Sequence, residues 1–267
     1  TAFLWSSSGL FIKLISWGPF AILSGRSLIA TFIVLLYLKR PAYRFTWLEV
    51  VGALGYMGTQ IFFIMGTKLT VAANIIFLSF TSPLYLILFG YWFLKERPQR
   101  ADWLAIPAIF LGMILFFGDD FSFDGIRGNI YGVLAGMSMA VMVMCMRHQK
   151  DQVPARIVFL GNIISVLVGL PALLTASFNL PDVGIILYLG IFQIGLSFVL
   201  YSWAIQHLQA LEATLIVTLE PVLNPIWVFL VIGEIPGSLA FVGGALVLGA
   251  VIIRAIASAR ATDQQVI

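Results

Sequence analysis

Long apolar runs recur along the whole of this 267-residue chain. Segments such as FIVLLYL at 32–38 and GGALVLGAVII at 243–253 contain no charged side chain and no alternation of apolar and polar residues. Runs of about 20 apolar residues are typical of transmembrane helices, whereas the strands of a membrane barrel alternate over about 10 residues. The pattern therefore predicts an all-α integral membrane protein.

The composition excludes a soluble domain. Charged residues make up 10% of the chain and hydrophobic residues 61%, whereas about a quarter of the residues of a soluble domain are charged. So little polar surface cannot solvate a globule of this length. The chain begins at Thr1 inside an apolar segment, which we interpret as part of the first membrane helix rather than as a signal peptide.

The sequence gives little support for nucleic-acid binding, a metal site or enzyme activity. The net charge of +3 comes from short basic clusters between apolar segments, so we expect no nucleic-acid partner. Cys145 is the single cysteine, which leaves no intrachain disulfide and no cysteine-based metal site. The sequence has no metalloprotease, serine-hydrolase or nucleotide-loop motif. We expect no enzyme activity, no catalytic residue, no metal and no cofactor.

Ten membrane helices are predicted, separated by breaks that are mostly rich in proline, glycine and charge, such as KERP and GEIPG. The break around His207–Gln209 has neither proline nor glycine, but a single helix of about 50 residues would be too long for one span. The predicted helices lie at roughly 1–16, 19–38, 47–67, 71–94, 102–118, 126–147, 155–176, 183–206, 211–232 and 238–257.

The basic residues test this topology. Eleven of them follow the second, fourth, sixth and tenth helices and so fall on one side of the membrane: Lys39, Arg40, Arg44, Lys95, Arg97, Arg100, Arg147, Lys150, Arg156, Arg254 and Arg260. Basic loops stay in the cytoplasm. We therefore expect a multi-pass membrane protein with both termini cytoplasmic.

Two apolar stretches, 138 residues apart, have proline and glutamate at the same relative positions. SFTSPLYLILFGYWFLKERP at 79–98 and VTLEPVLNPIWVFLVIGEIP at 217–236 align Pro83 with Pro221, Glu96 with Glu234 and Pro98 with Pro236. The fourth helix thus matches the ninth, and a step of five helices reverses orientation. Such inverted repeats are common in secondary transporters, whose binding site lies between the halves near the midplane.

The repeat divides the chain into two inverted five-helix halves that we expect to work by alternating access. A channel can share this plan. The predicted parts are a first repeat at 1–118, an extracytoplasmic linker at 119–125, an inverted second repeat at 126–257 and a cytoplasmic tail at 258–267.

Two charged residues fall inside predicted spans. Glu220 lies about 15 Å from each interface by helix rise, where an unpaired charge is costly. It is either a site for a substrate amine or a proton, or an acid hydrogen-bonded around the Pro221 kink. Arg26 lies about 10 Å below the outer surface. It either reads a substrate carboxylate through its two-pronged guanidinium, or it pairs with an acid such as Glu220, or it extends to the interface.

Matched prolines lie near the centres of the fourth and ninth helices. Pro83 and Pro221 each remove a backbone donor and favour a kink. We predict hinges that shape the cavity, with ordinary helix bending as the alternative.

A second group of candidates is polar or aromatic. Polar side chains within spans either line a cavity or bond another helix, and aromatic rings can stack on a planar substrate. Together with Arg26 and Glu220, the candidates for substrate binding are Trp5, Tyr56, Gln60, Ser79, Tyr85, Gln193, Tyr201, Trp203 and Asn224.

Several motifs resemble the EamA family of the drug/metabolite transporter superfamily. They are LWSSSGLFIKL in the first helix, Arg26 in the second, and the repeated SPLYLILFGYWFLKERP and EPVLNPIWVFLVIGEIP. The resemblance covers nearly the whole chain. It implies ten helices in two inverted halves, a cavity lined by helices 1–4 and 6–9, and export of small metabolites. Within the family, the chain is most similar to bacterial YddG-type exporters of amino acids, especially aromatic ones.

The predicted function is export of amino acids, aromatic and other neutral ones, and of similar amphiphilic metabolites. A proton-coupled exporter of drugs or organic cations is the alternative, followed by a channel. The expected partners are the small-molecule substrate and the lipid bilayer. We expect a monomer, although the glycine-rich face of the tenth helix offers a contact to a second copy.

Overall fold

The computed structural model describes residues 1–39, 44–70, 72–117, 125–223 and 238–263. Within these residues the backbone forms helices and connecting turns, with no strand. The helices are α1 (Ala2–Trp5), α2 (Ser8–Leu14), α3 (Pro19–Leu38), α4 (Trp47–Leu69), α5 (Ala72–Ser79), α6 (Ser82–Leu94), α7 (Arg100–Phe117), α8 (Ile126–His148), α9 (Ala155–Leu174), α10 (Leu180–Tyr188), a π-helical segment (Leu189–Leu196), α11 (Ser197–His207), α12 (Ala210–Val217) and α13 (Ser238–Asp263).

The described helices are those of a multi-pass membrane protein. Large apolar side chains such as Trp92 and Leu104 point outward, where hydrocarbon rather than water can cover them. Two shorter apolar helices, Ala2–Leu14 and Phe241–Ala257, accompany the candidate spans. Six helical stretches are long and apolar enough to cross a bilayer: Pro19–Leu38, Trp47–Leu69, Ile75–Leu94, Ile126–His148, Ala155–Leu174 and Leu180–His207.

The first predicted helix, at 1–16, is two short helices. α1 ends at Trp5 and α2 begins at Ser8. The Ser6 hydroxyl donates to the Phe3 carbonyl at 2.8 Å and the Ser7 hydroxyl to the Leu4 carbonyl at 3.2 Å. Serine hydroxyls that bond back to the preceding turn compete with the helix ladder. A continuous first helix was therefore a wrong prediction.

The fourth predicted helix is also broken, and the break falls one turn before its proline. α5 ends at Ser79, and Pro83 is the second residue of α6. Because Pro83 has no N–H, the Ser79 carbonyl has no intrahelical partner. The Thr81 N–H and hydroxyl instead both donate to the Leu78 carbonyl. Pro83 thus starts a helix after a break rather than bending one at its centre.

The ninth predicted helix has the same construction. α12 ends at Val217, a turn follows at Thr218 and Leu219, and Glu220 and Pro221 begin the next helical turn. The last residues of α5 and α12, Ser79 and Val217, are 138 positions apart. The rest of this predicted helix, with Asn224, lies outside the described residues, as do Glu234 and Pro236 after it.

The helices pack through glycines. α4 packs on α8, where a methyl group on Gly55 would lie 2.9 Å from both the Met142 nitrogen and the Ser138 carbonyl oxygen. α7 packs on α13, where a methyl on Gly112 would lie 2.8 Å from the Gly243 carbonyl oxygen. In lipid, such close backbone contacts hold helices together through van der Waals packing.

The π-helical segment replaces regular helix in the middle of the eighth predicted helix, at 183–206. This helix in fact extends from Leu180 to His207. The segment packs on α3, where Gly190 lies so close that a methyl group would meet the Arg26 carbonyl oxygen at 2.9 Å. The wider turn places Gln193 opposite Arg26. Such π segments are frequent at functional sites.

Candidate functional site

A cavity lies inside the bundle, between residues from both parts of the chain. Its wall combines aromatic rings, methionines, hydroxyls, two glutamine amides and one carboxyl group. The lining residues are Trp5, Ser8, Thr59, Gln60, Phe63, Ser79, Phe80, Ala135, Met139, Met142, Gln193, Phe198 and Glu220.

Three helix breaks supply cavity residues. Trp5 and Ser8 flank the break between α1 and α2, whereas Ser79 and Phe80 lie at the break between α5 and α6. The Ser79 hydroxyl is buried and has no hydrogen-bond partner among the described residues. Glu220 begins the helical turn after the third break, and its partly buried side chain reaches the same cavity. The breaks therefore bring polar groups to one cavity.

Trp5 is fixed against the second part of the chain. Its indole Nε1 donates to the Ser197 hydroxyl at 2.7 Å. Its ring lies 4.8 Å from Phe198 and 5.6 Å from Tyr201, measured between centroids. Trp5 and Phe198 line the cavity, and Tyr201 supports them from behind. The arrangement leaves a rigid aromatic surface inside the cavity.

Arg26 lies behind the cavity wall rather than in it. Its side chain is 1% exposed, with Nη2 2.7 Å from Gln60 Oε1 and Nη1 3.3 Å from Gln193 Oε1. Both Arg26 and Glu220 are described, and no ion pair joins them. The predicted alternatives of pairing with Glu220 and of extending to the interface are therefore wrong.

The remaining candidates fall outside the cavity wall. Tyr56 is buried and donates to Asn162 Oδ1 at 2.9 Å, which joins α4 to α9. Tyr85 is half-buried against the apolar core. Trp203 is 57% exposed on the outer surface, beside His207. These three tyrosine and tryptophan side chains do not meet the cavity.

Several lining residues escaped the sequence analysis. Thr59 and Phe63 lie next to Gln60 on α4, and Met139 and Met142 lie three residues apart on α8. A stripe at i and i+3 beside a polar residue is a signal for a shared face. Methionines and phenylalanines are too common in membrane helices for that signal to be decisive.

Ion pairs close one end of the bundle. Glu96 accepts from Arg147 Nε at 2.5 Å and from the Ala210 N–H, the first of α12, at 3.0 Å. Arg147 also donates to the carbonyls of Ile205 and Gln206 at the end of α11. The pair thus places a negative charge at a helix N-terminus and a positive charge at a helix C-terminus, where each is favourable.

A second ionic cluster lies at the same end. Buried Arg254 of α13 lies 2.8 Å from Asp102 of α7 and 2.6 Å from Glu212 of α12. Arg156 pairs with Glu49 at 2.7 Å. All ion pairs formed between described residues lie at this end. At the other end, Lys68 donates to the Ile15 carbonyl, and the Asp182 carboxylate accepts from Ser16.

Apolar spans around a cavity whose wall combines apolar, aromatic and polar side chains are typical of a membrane transporter of small molecules. The family description "EamA-like transporter family" matches residues 1–118 and again 126–255. The chain belongs to this family, and it is a transporter rather than an enzyme.

Curated relatives carry transporter names. The uncharacterized transporter YdfC of Bacillus subtilis (strain 168) is 28% identical over 241 residues, which cover 87% of this chain and 78% of that protein. The pseudopaline exporter CntI of Pseudomonas aeruginosa (strain UCBPP-PA14) is 27% identical, over 85% of this chain and 82% of that protein. These names support transport of small molecules and give no support to the YddG-type specificity.

A solved crystal structure shares the fold. It superposes with a TM-score of 0.80 at 17% sequence identity, and the match covers 95% of both chains. At this identity the likeness shows the fold alone.

Proposed function

We propose that this chain exports amino acids and similar small amphiphilic metabolites across the bacterial inner membrane by alternating access. The observation that carries the proposal is the cavity, which is lined by side chains from both halves of the chain. A cavity with a few polar groups, surrounded by apolar spans, is the arrangement in which a transporter holds its substrate midway.

The proposed architecture is ten helices in two inverted repeats. The 138-residue spacing between the ends of α5 and α12 supports it, as does the double match of the family description. In this arrangement residues 1–118 and 126–257 form the two halves, with both termini in the cytoplasm. The ion pairs of Glu96 and Arg254 then close the cytoplasmic end, because the basic clusters lie there.

The chemistry of the wall supports an amphiphilic substrate. Trp5, Phe63 and Phe198 offer aromatic surface to an apolar side chain. Glu220 offers a carboxyl group to an amine, and Gln60 and Gln193 offer amides. A free amino acid presents all three kinds of group. The breaks before Pro83 and Pro221 are the proposed hinges, because few backbone hydrogen bonds cross them.

A filled cavity should stop transport. We expect Thr59→Trp to abolish flux of labelled phenylalanine in proteoliposomes, because an indole at Thr59 would occupy the cavity. Thr175→Trp, on the exposed end of α9, is the matched control and should transport normally. Normal flux through a correctly folded Thr59→Trp protein would show that substrate takes another route.

A proton-coupled exporter of organic cations is the second candidate. Glu220 favours it, because Glu220 is the acidic residue among the described residues of the cavity wall. A carboxylate there would attract a cation, and a proton could displace that cation. Flux of a planar organic cation that follows an imposed proton gradient, with no flux of amino acids, would select this function.

A further inference from the structure

Two glutamines from different halves of the chain meet at one arginine. Gln60 lies on α4 and Gln193 lies in the π-helical segment. Both line the cavity and both are 6% exposed, whereas Arg26 lies behind them and is 1% exposed. The two amides therefore separate the guanidinium from the cavity.

The guanidinium determines how both amides are turned. Arginine has only N–H donors and stays protonated in proteins. An amide that faces it must therefore present its oxygen, as Gln60 Oε1 does at 2.7 Å and Gln193 Oε1 at 3.3 Å. The amide N–H donors remain. One N–H of Gln60 faces the buried Tyr56 hydroxyl, which leaves the other and those of Gln193 for the cavity. A glutamine amide can donate or accept hydrogen bonds. Because Arg26 occupies both amide oxygens, the two side chains act as donors toward the cavity.

The charge of Arg26 reaches the cavity because no described acid neutralises it. The ion pairs of the described residues involve other arginines and lie at one end of the bundle. The Arg26 Nε has no hydrogen-bond partner among those residues. In a medium of low dielectric constant, a buried cation polarises the amides bonded to it, and donors polarised in this way bind anions strongly.

We infer that Gln60 and Gln193, polarised by Arg26, form a binding site for the carboxylate of the substrate. This inference rests on the proposed function and deepens it, because it makes a carboxylate a requirement for good substrates. Arg26 is then a positioning residue and does not touch the substrate. Glu220, on the same cavity, remains for the substrate amine, so the two sites together select a zwitterion.

The test compares phenylalanine with phenylalanine amide, which keeps the amine and the ring but lacks the carboxylate. Equilibrium binding of each is measured on purified protein in lipid nanodiscs. We expect the wild-type protein to bind phenylalanine about tenfold or more tightly than the amide, as charge-assisted hydrogen bonds are worth this factor. In Gln60→Glu a carboxylate neutralises Arg26 and removes a donor, so the ratio should fall to about one.

Two further variants separate recognition from folding. Arg26→Met removes the cation and frees both amides, so it should also lose the preference for the acid. Gln152→Glu makes the same chemical change as Gln60→Glu in an exposed loop and should keep the wild-type ratio.

The outcomes are distinct. Equal wild-type binding of acid and amide, or an unchanged preference in Gln60→Glu, would overturn the carboxylate site and leave amino-acid transport intact. Failure of the wild-type protein to bind or transport either compound would overturn the proposed amino-acid function and the carboxylate site with it.

Discussion

Gly55 on α4 offers a test of the packing that encloses the cavity. Gly55→Ala would place a methyl group 2.9 Å from the Met142 nitrogen and 2.9 Å from the Ser138 carbonyl oxygen. Both neighbours are backbone atoms of α8, so neither can swing aside as a flexible side chain would. α4 and α8 must separate to admit the methyl group.

The magnitude follows from two opposed effects. Alanine in place of a helical glycine stabilises a helix by up to about 1 kcal/mol. Overpacking against rigid neighbours typically costs about 1–3 kcal/mol. Gly184 on α10 has nothing within 4 Å of the same methyl position. Gly184→Ala therefore has the favourable effect alone, and the difference between the two variants measures the clash.

The assay is thermal unfolding of both variants in the same mild detergent. The clash of about 1–3 kcal/mol corresponds to a Tm for Gly55→Ala that is lower than that of Gly184→Ala by roughly 2–12 °C, at about 2–4 °C per kcal/mol. Equal Tm values for the two variants would refute the close approach of α4 to α8. The residues of α4 and α8 that line the cavity would then lie farther apart than the structure places them.

Three further predictions concern the charges. Arg254→Met leaves the carboxylates of Asp102 and Glu212 buried without a cation, so we expect a loss of about 3–5 kcal/mol in unfolding experiments, and an unchanged stability would contradict the cluster. Glu96→Gln weakens the contact of this side chain to Arg147 and to the N-terminus of α12. A cysteine placed at Leu211 should then react faster with a water-soluble maleimide. An unchanged reaction rate would show that the contact does not close the end of the bundle where these ion pairs lie. Glu220→Gln should lower amino-acid flux about tenfold or more, since a charge-assisted contact is lost, and wild-type flux with an unchanged pH profile would remove Glu220 from the site.

Regular spans were predictable because their ends carry local signals. α4 was predicted at 47–67 and lies at Trp47–Leu69, and α8 was predicted at 126–147 and lies at Ile126–His148. Thr46 forms a capping box with Glu49, and Gly125 at φ 81° precedes α8. Capping signals of this kind involve residues that are close together in the sequence. They can therefore be recognised without the structure.

Interruptions inside spans were not predictable in the same way. The break at Ser6 and Ser7 is fixed partly by the bond from Trp5 to Ser197, almost two hundred residues away. The break at Phe80 depends on Gly136, where a methyl group would lie 2.9 Å from the Ser79 carbonyl oxygen. A proline predicts a kink near its own position. It does not show which part of the protein, distant in the sequence, the interrupted helix packs against.

Some residues of the candidate site were predictable from the sequence, but their arrangement was not. Gln60, Gln193 and Glu220 were named from the rarity of polar groups in spans, and they line one cavity. Arg26 was expected to bind a substrate carboxylate, to pair with an acid or to extend to the interface. Its actual partners are two amides on different helices, and their pairing depends on how those helices are rotated. The hydropathy pattern of the sequence does not determine how each helix is rotated about its axis.

The central claim is that the cavity carries amino acids across the membrane. The most direct test is flux in proteoliposomes of purified protein, with labelled phenylalanine, threonine and a planar organic cation, with and without an imposed proton gradient. The account predicts saturable amino-acid flux that Thr59→Trp abolishes. Absence of amino-acid flux, with cation flux that follows the proton gradient, would contradict it.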